Sequence, residues 1–262
     1  MKSSASQKEL AVKVHSTQAA EFETSYSTLG QAPYASCFAY SRTRLGEWLQ
    51  HLLPPRGDGL RALDVGCGTG HHLEWLRERG FEGAGIDASG EMLALARQRN
   101  PEADLRLADV ESLPFPNASF DVVLCIEVLR YLPEMSRCLS EIGRVLVPGG
   151  VCVATATPLL NLNGYYLVNR LAPVLPVKDL VGLRQYFTTS WNLGRTLAEA
   201  GLSPFEIHGV YFGPINWVER LAPRQLPRVL SAWRPIDRAL CDRLPWRELS
   251  NMFVVRASRG AG

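Results

Sequence analysis

The sequence predicts an α/β fold built on a parallel sheet, and three observations carry that prediction. Short apolar runs near residues 60–65, 82–87, 104–108 and 119–126 alternate with helical periodicity near 71–79, 89–99 and 134–146, the pattern of strands joined by helical crossovers. The first run includes Asp64 and passes into a loop holding Gly66, Gly68 and Gly70, three glycines in five positions. Glycine at a strand-to-helix turn lets backbone N–H groups approach a bound ligand closely. Asp87, seventeen residues past Gly70, ends the second run, where an acid is placed to accept both hydroxyls of a ribose. Together these features point to an adenosine-containing small molecule bound at the edge of the sheet.

The elements follow in order. Residues 1–20 lack sustained periodicity and are expected to be loose. Phe22, Tyr26, Tyr34, Phe38 and Tyr40 precede a helix over Arg44 to Leu53 that Pro54 and Pro55 end. Ser89 caps a helix whose apolar face holds Met92, Leu93, Leu95 and Ala96. A fifth strand is expected near 149–155, a helix over 188–200 started by Thr188-Thr189-Ser190, and strands near 204–211 and 251–257. The last two strands are separated by residues 213–250 rather than by a short crossover. Residues 158–187 and 213–248 therefore read as insertions, both able to reach the ligand's end of the sheet.

At 262 residues and 46% hydrophobic the chain can bury a full core as one domain. A net charge of +2 exerts no general pull on nucleic acid. The six cysteines show no C-x-x-C and no Cys/His cluster at zinc spacing, so a reducing compartment and no metal are expected. Met1 to Leu10 is polar, without the apolar core of a secretion signal. The uncharged stretch Val145 to Asn169 is broken by Pro148, Gly149, Gly150, Pro158 and Gly164 and would not span a bilayer. A cytoplasmic protein without stable membrane insertion is the expectation; oligomeric state is left open.

The glycine spacing is G-x-G-x-G, not the G-x-G-x-x-G of nicotinamide and flavin sites. Asp64 so near the loop suits a cofactor with an amino group better than a pyrophosphate. Leu63-Asp64-Val65-Gly66-Cys67-Gly68-Thr69-Gly70 resembles the first motif of class I S-adenosylmethionine-dependent methyltransferases, and Gly85-Ile86-Asp87-Ala88-Ser89 resembles their second-strand acid. Leu107 to Phe115 is similar to the adenine-reading segment, Phe120 to Cys125 to the fourth strand, and Glu141 to Gly150 to the approach to the fifth. The resemblance, closest to the type 11 group of small-molecule methyltransferases, covers residues 60 to 157. It implies a Rossmann-like seven-stranded sheet in the order 3-2-1-4-5-7-6, strand 7 antiparallel, with helices on both faces and helical cap insertions. The single domain would divide into a helical N-terminal lid (1–57), a cofactor-binding core (58–157), cap insertions (158–187 and 213–248) and the rest of the sheet (188–212 and 249–258).

The resemblance also implies S-adenosyl-L-methionine as cofactor and roles for individual residues. Asp87 would take the ribose hydroxyls, with Gly66, Cys67, Gly68 and Gly70 passing beneath the ribose and methionine portion. Asp64 would meet the methionine amino group, or else cap the helix that starts near Gly70. Asp109 would accept from the adenine N6 and Val110 donate its N–H to a ring nitrogen, unless Asp109 is a plain loop acid. Ala88 and Met92 would line the adenine and ribose face, Met92 reading equally well as core. Cys125, Ile126 and Glu127 would mark the methionine end. Many relatives carry a histidine just beyond; here stands Leu129-Arg130-Tyr131-Leu132. A tyrosine with a pKa near 10 is a poor base, so Glu127 and Tyr131 are the catalytic candidates with no base assigned. His71 and His72 read as exposed or packed, His208 is unassigned, and His15 and His51 show nothing.

Tyr165, Tyr166, Tyr186 and Trp217 are the candidate acceptor walls. Residues 213–248 hold Trp217, Trp233, Trp246 and seven arginines against four acids. Arg220, Arg224 and Arg228 are spaced for one helix face, read either as a solvated cap or as a lid touching an apolar or anionic acceptor or a membrane surface. Pro223 and Pro227 argue against a long amphipathic helix there. The expected function is transfer of a methyl group to O, N or C of a small molecule, in secondary or specialised metabolism. Alternatives are a lipid- or quinone-type acceptor at a membrane surface, a non-catalytic S-adenosylmethionine-binding protein and, last, an NAD(P)-dependent oxidoreductase, which would need a tyrosine–lysine pair where only Lys178 follows residue 13. No basic stripe and no Asn-Pro-Pro-Tyr motif favours a nucleic-acid acceptor.

Overall fold

The computed structural model describes residues 4–27, 32–171, 183 and 185–260. At its centre is a sheet in the order β3-β2-β1-β4-β5-β7-β6, formed by β1 (Arg61–Val65), β2 (Glu82–Asp87), β3 (Asp104–Leu107), β4 (Phe120–Cys125), β5 (Leu146–Ala156), β6 (Leu202–Gly209) and β7 (Phe253–Arg259). Strands β1 to β5 pair in parallel, and β7 runs antiparallel to β5 and β6. This is the order and sense that the resemblance implies. The strand order turns back between β1 and β4, and open α/β sheets bind ligands at the carboxyl ends of the strands flanking such a point.

Alternation along each strand separates two cores. Leu63, Val65, Val123, Cys125, Cys152 and Ala154 face one side, where α6 (Met135–Val145) and α8 (Ser190–Glu199) supply Leu139, Ile142, Leu193 and Leu197. Ala62, Val122, Leu124, Val153 and Val254 face the other, against Tyr40, Leu45 and Leu49 of α3 (Cys37–Leu52). Between them α4 (His71–Arg77) and α5 (Gly90–Arg99) follow β1 and β2. Ser89 caps α5, its Oγ accepting from Met92 N at 3.1 Å, as the spacing predicts.

Three expectations are corrected. The stretch 1–20, expected to be loose at its start, is helical from Ser4: α1 (Ser4–Thr17) is followed by α2 (Ala19–Ser27). Helix α1 is held by tertiary contacts that no local period reveals: Ala11 is buried, Lys8 pairs with Asp109 and Glu111, and Ser16 Oγ lies 2.7 Å from Ser89 Oγ. Residues 213–248 contain α9 (Ile215–Leu221), a 3₁₀ turn at Pro223–Gln225 and the fifteen-residue α10 (Leu226–Leu240). Pro227 stands in the first turn of α10, where its missing N–H costs nothing; the prolines do not forbid the helix.

The third correction concerns what that insertion covers. Ile215, Leu226 and Leu230 pack into the core of α3. Asp237, wholly buried, accepts from Tyr40 Oη (2.6 Å), Arg44 Nε (3.0 Å) and Phe212 N (2.8 Å). Glu47 of α3 accepts from Arg234 Nη2 at 2.6 Å. The insertion buttresses the back of α3 rather than roofing the sheet's carboxyl end. In the other insertion α7 spans Tyr165–Leu171, and residues 172–182 and 184 lie outside the described residues. No described helix is long and apolar enough to cross a membrane.

Candidate cofactor and acceptor site

A cavity of about 220 Å³ lies at the carboxyl ends of β1, β2 and β4. Its floor is Gly66, Cys67 and Gly68 after β1, Asp87 and Ala88 at the end of β2, Val110 beyond β3, and Ile126 and Glu127 after β4. Ala11, Val12 and His15 of α1, Phe22 and Tyr26 of α2, and Phe38 and Arg42 of α3 close it from above.

The glycine loop is shaped by its neighbours. Gly66 sits at φ 76°, and a Cβ there would come within 2.4 Å of Val128 Cγ2, so no side chain fits. The N–H groups of Gly66 and Cys67 both donate to Ile86 O at 2.8 Å. Asp87 ties loop to helix: its Oδ2 accepts from Gly68 N at 2.9 Å and its Oδ1 from Ser89 N at 2.8 Å. Burial raises the Asp87 pKa, against these two hydrogen bonds.

Asp64 shares the face of Ala62, is 1% exposed and, like Asp109, does not itself border the cavity. Among the described residues neither of its buried carboxyl oxygens has a hydrogen-bond partner. Burial, with the charge of Asp87 added, raises its pKa to about 7. The helix-cap alternative fails, because Gly70 occupies the N-cap of α4 and no side chain caps it. An isolated buried carboxylate is costly, and a ligand ammonium would supply what Asp64 lacks. The residues present thus fit an amino-bearing adenosine cofactor.

Other expected residues divide. Met92 and Val110 border the cavity while lying mostly buried. Gly70, at φ 82°, faces Asn100 instead, and Asn100 Nδ2 donates to its carbonyl at 2.9 Å. Cys125 is corrected by parity: it points with Val123 into the α6 core, not into the cavity. Asp109 also lies off the cavity wall, its carboxylate taken by Lys8 Nζ and by Glu111 N at 2.8 Å.

At the far end Glu127 stands at φ 62°, a strained backbone for a residue with a side chain. Although burial pushes its pKa up, Arg130 and Arg42 bring it down to about 2. Tyr131 meets His15 edge-on at 4.9 Å, and burial raises its pKa. Neither candidate is poised as a base: one carboxylate is locked between guanidiniums, and one phenol holds its proton.

The sequence reading missed His15, His71 and His72, which border the cavity. Burial lowers the pKa of all three, that of His72 to about 3 with Arg42 adding to the effect, so the imidazoles are neutral at pH 7. For His71 and His72 the available signal was position, since the first turn after a glycine loop faces whatever the loop holds; His15, on α1, had none.

The four residues expected as acceptor walls engage other groups. Tyr165 is hydrogen-bonded to Asn216, Trp217 Nε1 donates to Asn163 O at 3.1 Å, Tyr166 packs edge-on to Phe187 at 5.9 Å, and Tyr186 N donates to Arg130 O at 2.8 Å. None of the four borders the cavity; Tyr165 and Trp217 join the two insertions to each other. Arg220, Arg224 and Arg228 are exposed, a solvated face. His208 stacks on Trp48 at 4.3 Å, away from the cavity.

The family model described as a methyltransferase domain matches residues 63–154. A probable S-adenosylmethionine-dependent methyltransferase of Mycolicibacterium smegmatis is 30% identical over 81% of this chain and 78% of its own length. A ubiquinone biosynthesis O-methyltransferase of Ruegeria pomeroyi is 33% identical over 64% of this chain and 70% of its own. A malonyl-[acyl-carrier protein] O-methyltransferase of Pectobacterium atrosepticum is 36% identical over 46% of this chain, and the match spans only 47% of that relative's length. Among solved structures, an S-adenosylmethionine-dependent methyltransferase from Thermotoga maritima shares the fold at a TM-score of 0.62 and 18% identity, over 94% of this chain and 99% of that one.

Proposed function

We propose, from the premise that the chain belongs to the S-adenosylmethionine-dependent methyltransferases, that it methylates an oxygen of a small-molecule acceptor held beneath α2 and α3. S-adenosyl-L-methionine is the cofactor. The observation that carries the placement is the partnerless carboxyl of Asp64 beside the glycine loop. In this reading Asp64 takes the amino group and Asp87 the ribose hydroxyls, while Ala88, Met92 and the Val110 N–H receive the adenine. Asp109 belongs to the latch on α1.

The cofactor supplies a methyl group already attached to a good leaving group. What the chain must do is align the acceptor with it and exclude water, and α1, α2 and α3 close the cavity for that purpose. With Glu127 ion-paired and Tyr131 protonated, an acceptor that arrives ionised needs no base, and one that does not can pass its proton to a neutral imidazole of His15 or His71; His72, with its pKa near 3, is too weak a base. Oxygen is preferred because curated relatives are O-methyltransferases by name. Those names point to malonyl-[acyl-carrier protein] and ubiquinone biosynthesis, so an assignment to specialised metabolism is not carried forward. A quinone-type acceptor is the second reading, favoured by the exposed Leu167 and Leu221.

S-adenosylhomocysteine at a hundred times its Kd should stabilise the fold by about 2.7 kcal/mol, and NAD should not; the reverse result in a thermal-shift assay would overturn the placement. An acceptor panel of phenols, carboxylates and amines, read by S-adenosylhomocysteine release, then tests the acceptor atom. Asp87→Ala should weaken S-adenosylhomocysteine binding at least ten-fold, since charge-assisted hydrogen bonds contribute about 1.5–3 kcal/mol each. An unchanged Kd in calorimetry would remove Asp87 from the site.

A further inference from the structure

Among the described residues three imidazoles border the cavity, and their surroundings separate them. His72, its pKa brought down to about 3, cannot hold a proton near neutrality. His71 opens α4 directly after the Gly70 cap, so an imidazolium there would meet the positive end of the helix dipole. Its Nε2 lies 3.1 Å from Glu23 Oε2, and Arg99 pairs with that same carboxylate. The His71 ring lies flat against Tyr26 at 4.5 Å, and Arg99 adds to burial in opposing its charge.

His15 differs on each count. It stands in the last turn of α1, the end of a helix that favours an imidazolium. Its Nδ1 lies 2.8 Å from Ala11 O. A carbonyl only accepts, so Nδ1 carries the ring proton and the lone pair is left on Nε2. Among the described residues Nε2 has no hydrogen-bond partner. Phe22 at 5.5 Å and the edge-on Tyr131 at 4.9 Å hold the ring in place. Burial keeps it neutral before any reaction, while the carboxylates of Asp87 and Glu127 favour the charged form and Arg130 opposes it. A fixed tautomer, a free lone pair at the cavity and a surround that welcomes the conjugate acid are what a proton acceptor needs.

We propose that His15 is the general base of the transfer, its Nε2 taking the proton of an acceptor hydroxyl. The inference rests on the methyltransferase reading and narrows it to one imidazole, carried by α1 instead of by the sheet, and to acceptors that arrive protonated, such as a phenol. The acceptor's O–H bond breaks and its proton passes to Nε2 while the oxygen bonds to the methyl carbon. The sulfur keeps the electron pair of the broken S–C bond, and the imidazolium returns its proton to solvent after release. Ala11 O holds the tautomer throughout and is the positioning group.

The test has two arms, and both compare the native protein with His15→Gln, or with His15→Asn if the first does not fold. In the first, the native protein labelled with nitrogen-15 histidine is saturated with S-adenosylhomocysteine and its ring nitrogens are read by NMR, the His15 signals being those missing from the variant. A neutral ring with its proton on Nδ1 at pH 7 is expected; a proton on Nε2, or a charged ring, overturns the assignment. In the second, S-adenosylhomocysteine release is measured at pH 8 with S-adenosylmethionine and phenol, 4-chlorophenol or 4-nitrophenol, whose acidity rises in that order. A general base contributes about 100-fold or more, so the variant should lose at least that on phenol and less than about three-fold on 4-nitrophenol, which is already largely ionised. Equal losses on all three, with S-adenosylhomocysteine affinity kept, would make His15 a packing residue and overturn the proposal while the methyltransferase reading stands. The tautomer is read on the native protein and decides even where no phenol is turned over. If the native protein binds no S-adenosylhomocysteine in calorimetry, the methyltransferase reading fails and this inference with it.

Discussion

A single side chain sets the pH behaviour of this site. Asp64 has a folded pKa raised to about 7 by burial and by Asp87, against about 4 for an unfolded aspartate. Between those values the folded protein keeps a proton that the unfolded chain gives up. This group therefore lowers stability as pH rises through that window. Cofactor binding runs the other way, because an ammonium needs the ionised carboxylate. S-adenosylhomocysteine should bind about ten-fold more tightly at pH 8 than at pH 6, one unit of pKa shift being a factor of ten. In Asp64→Asn the profile over that range should be flat and the affinity lower. Calorimetry at both pH values checks this, and a flat profile in the native protein would show that Asp64 does not meet the ammonium.

At the scale of the element, α1 closes the cavity, and two kinds of contact hold it. The Lys8–Asp109 pair joins a half-exposed carboxylate, and exposed ion pairs contribute about 1 kcal/mol or less. Ala11, Val12 and His15 instead cover the cavity itself. Lys8→Ala should change the dissociation rate of S-adenosylhomocysteine by no more than about five-fold, whereas removing residues 1–17 should accelerate it well beyond that. Stopped-flow displacement distinguishes the two. Equal rates in the native and truncated proteins would mean that α1 does not govern access. Helix α10 shows the opposite case, an amphipathic element with Pro235 inside it that does not border the cavity.

For the whole molecule, Asp237 joins α10 to α3 and to the backbone that follows β6. Its carboxylate is fully buried and raised in pKa by that burial, with Tyr40, Arg44 and Phe212 N supplying compensating hydrogen bonds. Without this carboxylate the Tyr40 hydroxyl and the Phe212 N–H lose their acceptor, while Arg44 keeps Glu47, at a cost of about 3–5 kcal/mol for the buried network. Asp237→Ala should lose about that much in denaturant unfolding, with S-adenosylhomocysteine affinity kept within a few-fold, since α10 does not border the cavity. A large loss of affinity without a loss of stability would reverse the assignment of this insertion from buttress to lid.

The sheet order came from the family resemblance; the sequence by itself determined the strands, the glycine loop and the strand-end acids. Those features are local: a strand is a short apolar run, a glycine loop needs backbone that only glycine adopts, and an acid at a strand tip is positioned by the strand. Gly66, Gly68 and Asp87, which border the cavity, were legible for that reason. Tertiary structure decided everything that depends on which face meets which. Parity turned Cys125 away from the cavity; α3 drew the 213–248 insertion, and Trp217 with it, onto its own surface. Helices α1 to α3 brought His15, Tyr26, Phe38 and Arg42 over the glycine loop, although none carries a sequence signal for that place. Their positions come from long-range packing and from the pairing of buried charges, such as Arg42 with Glu127, and no spacing along the chain encodes those partners.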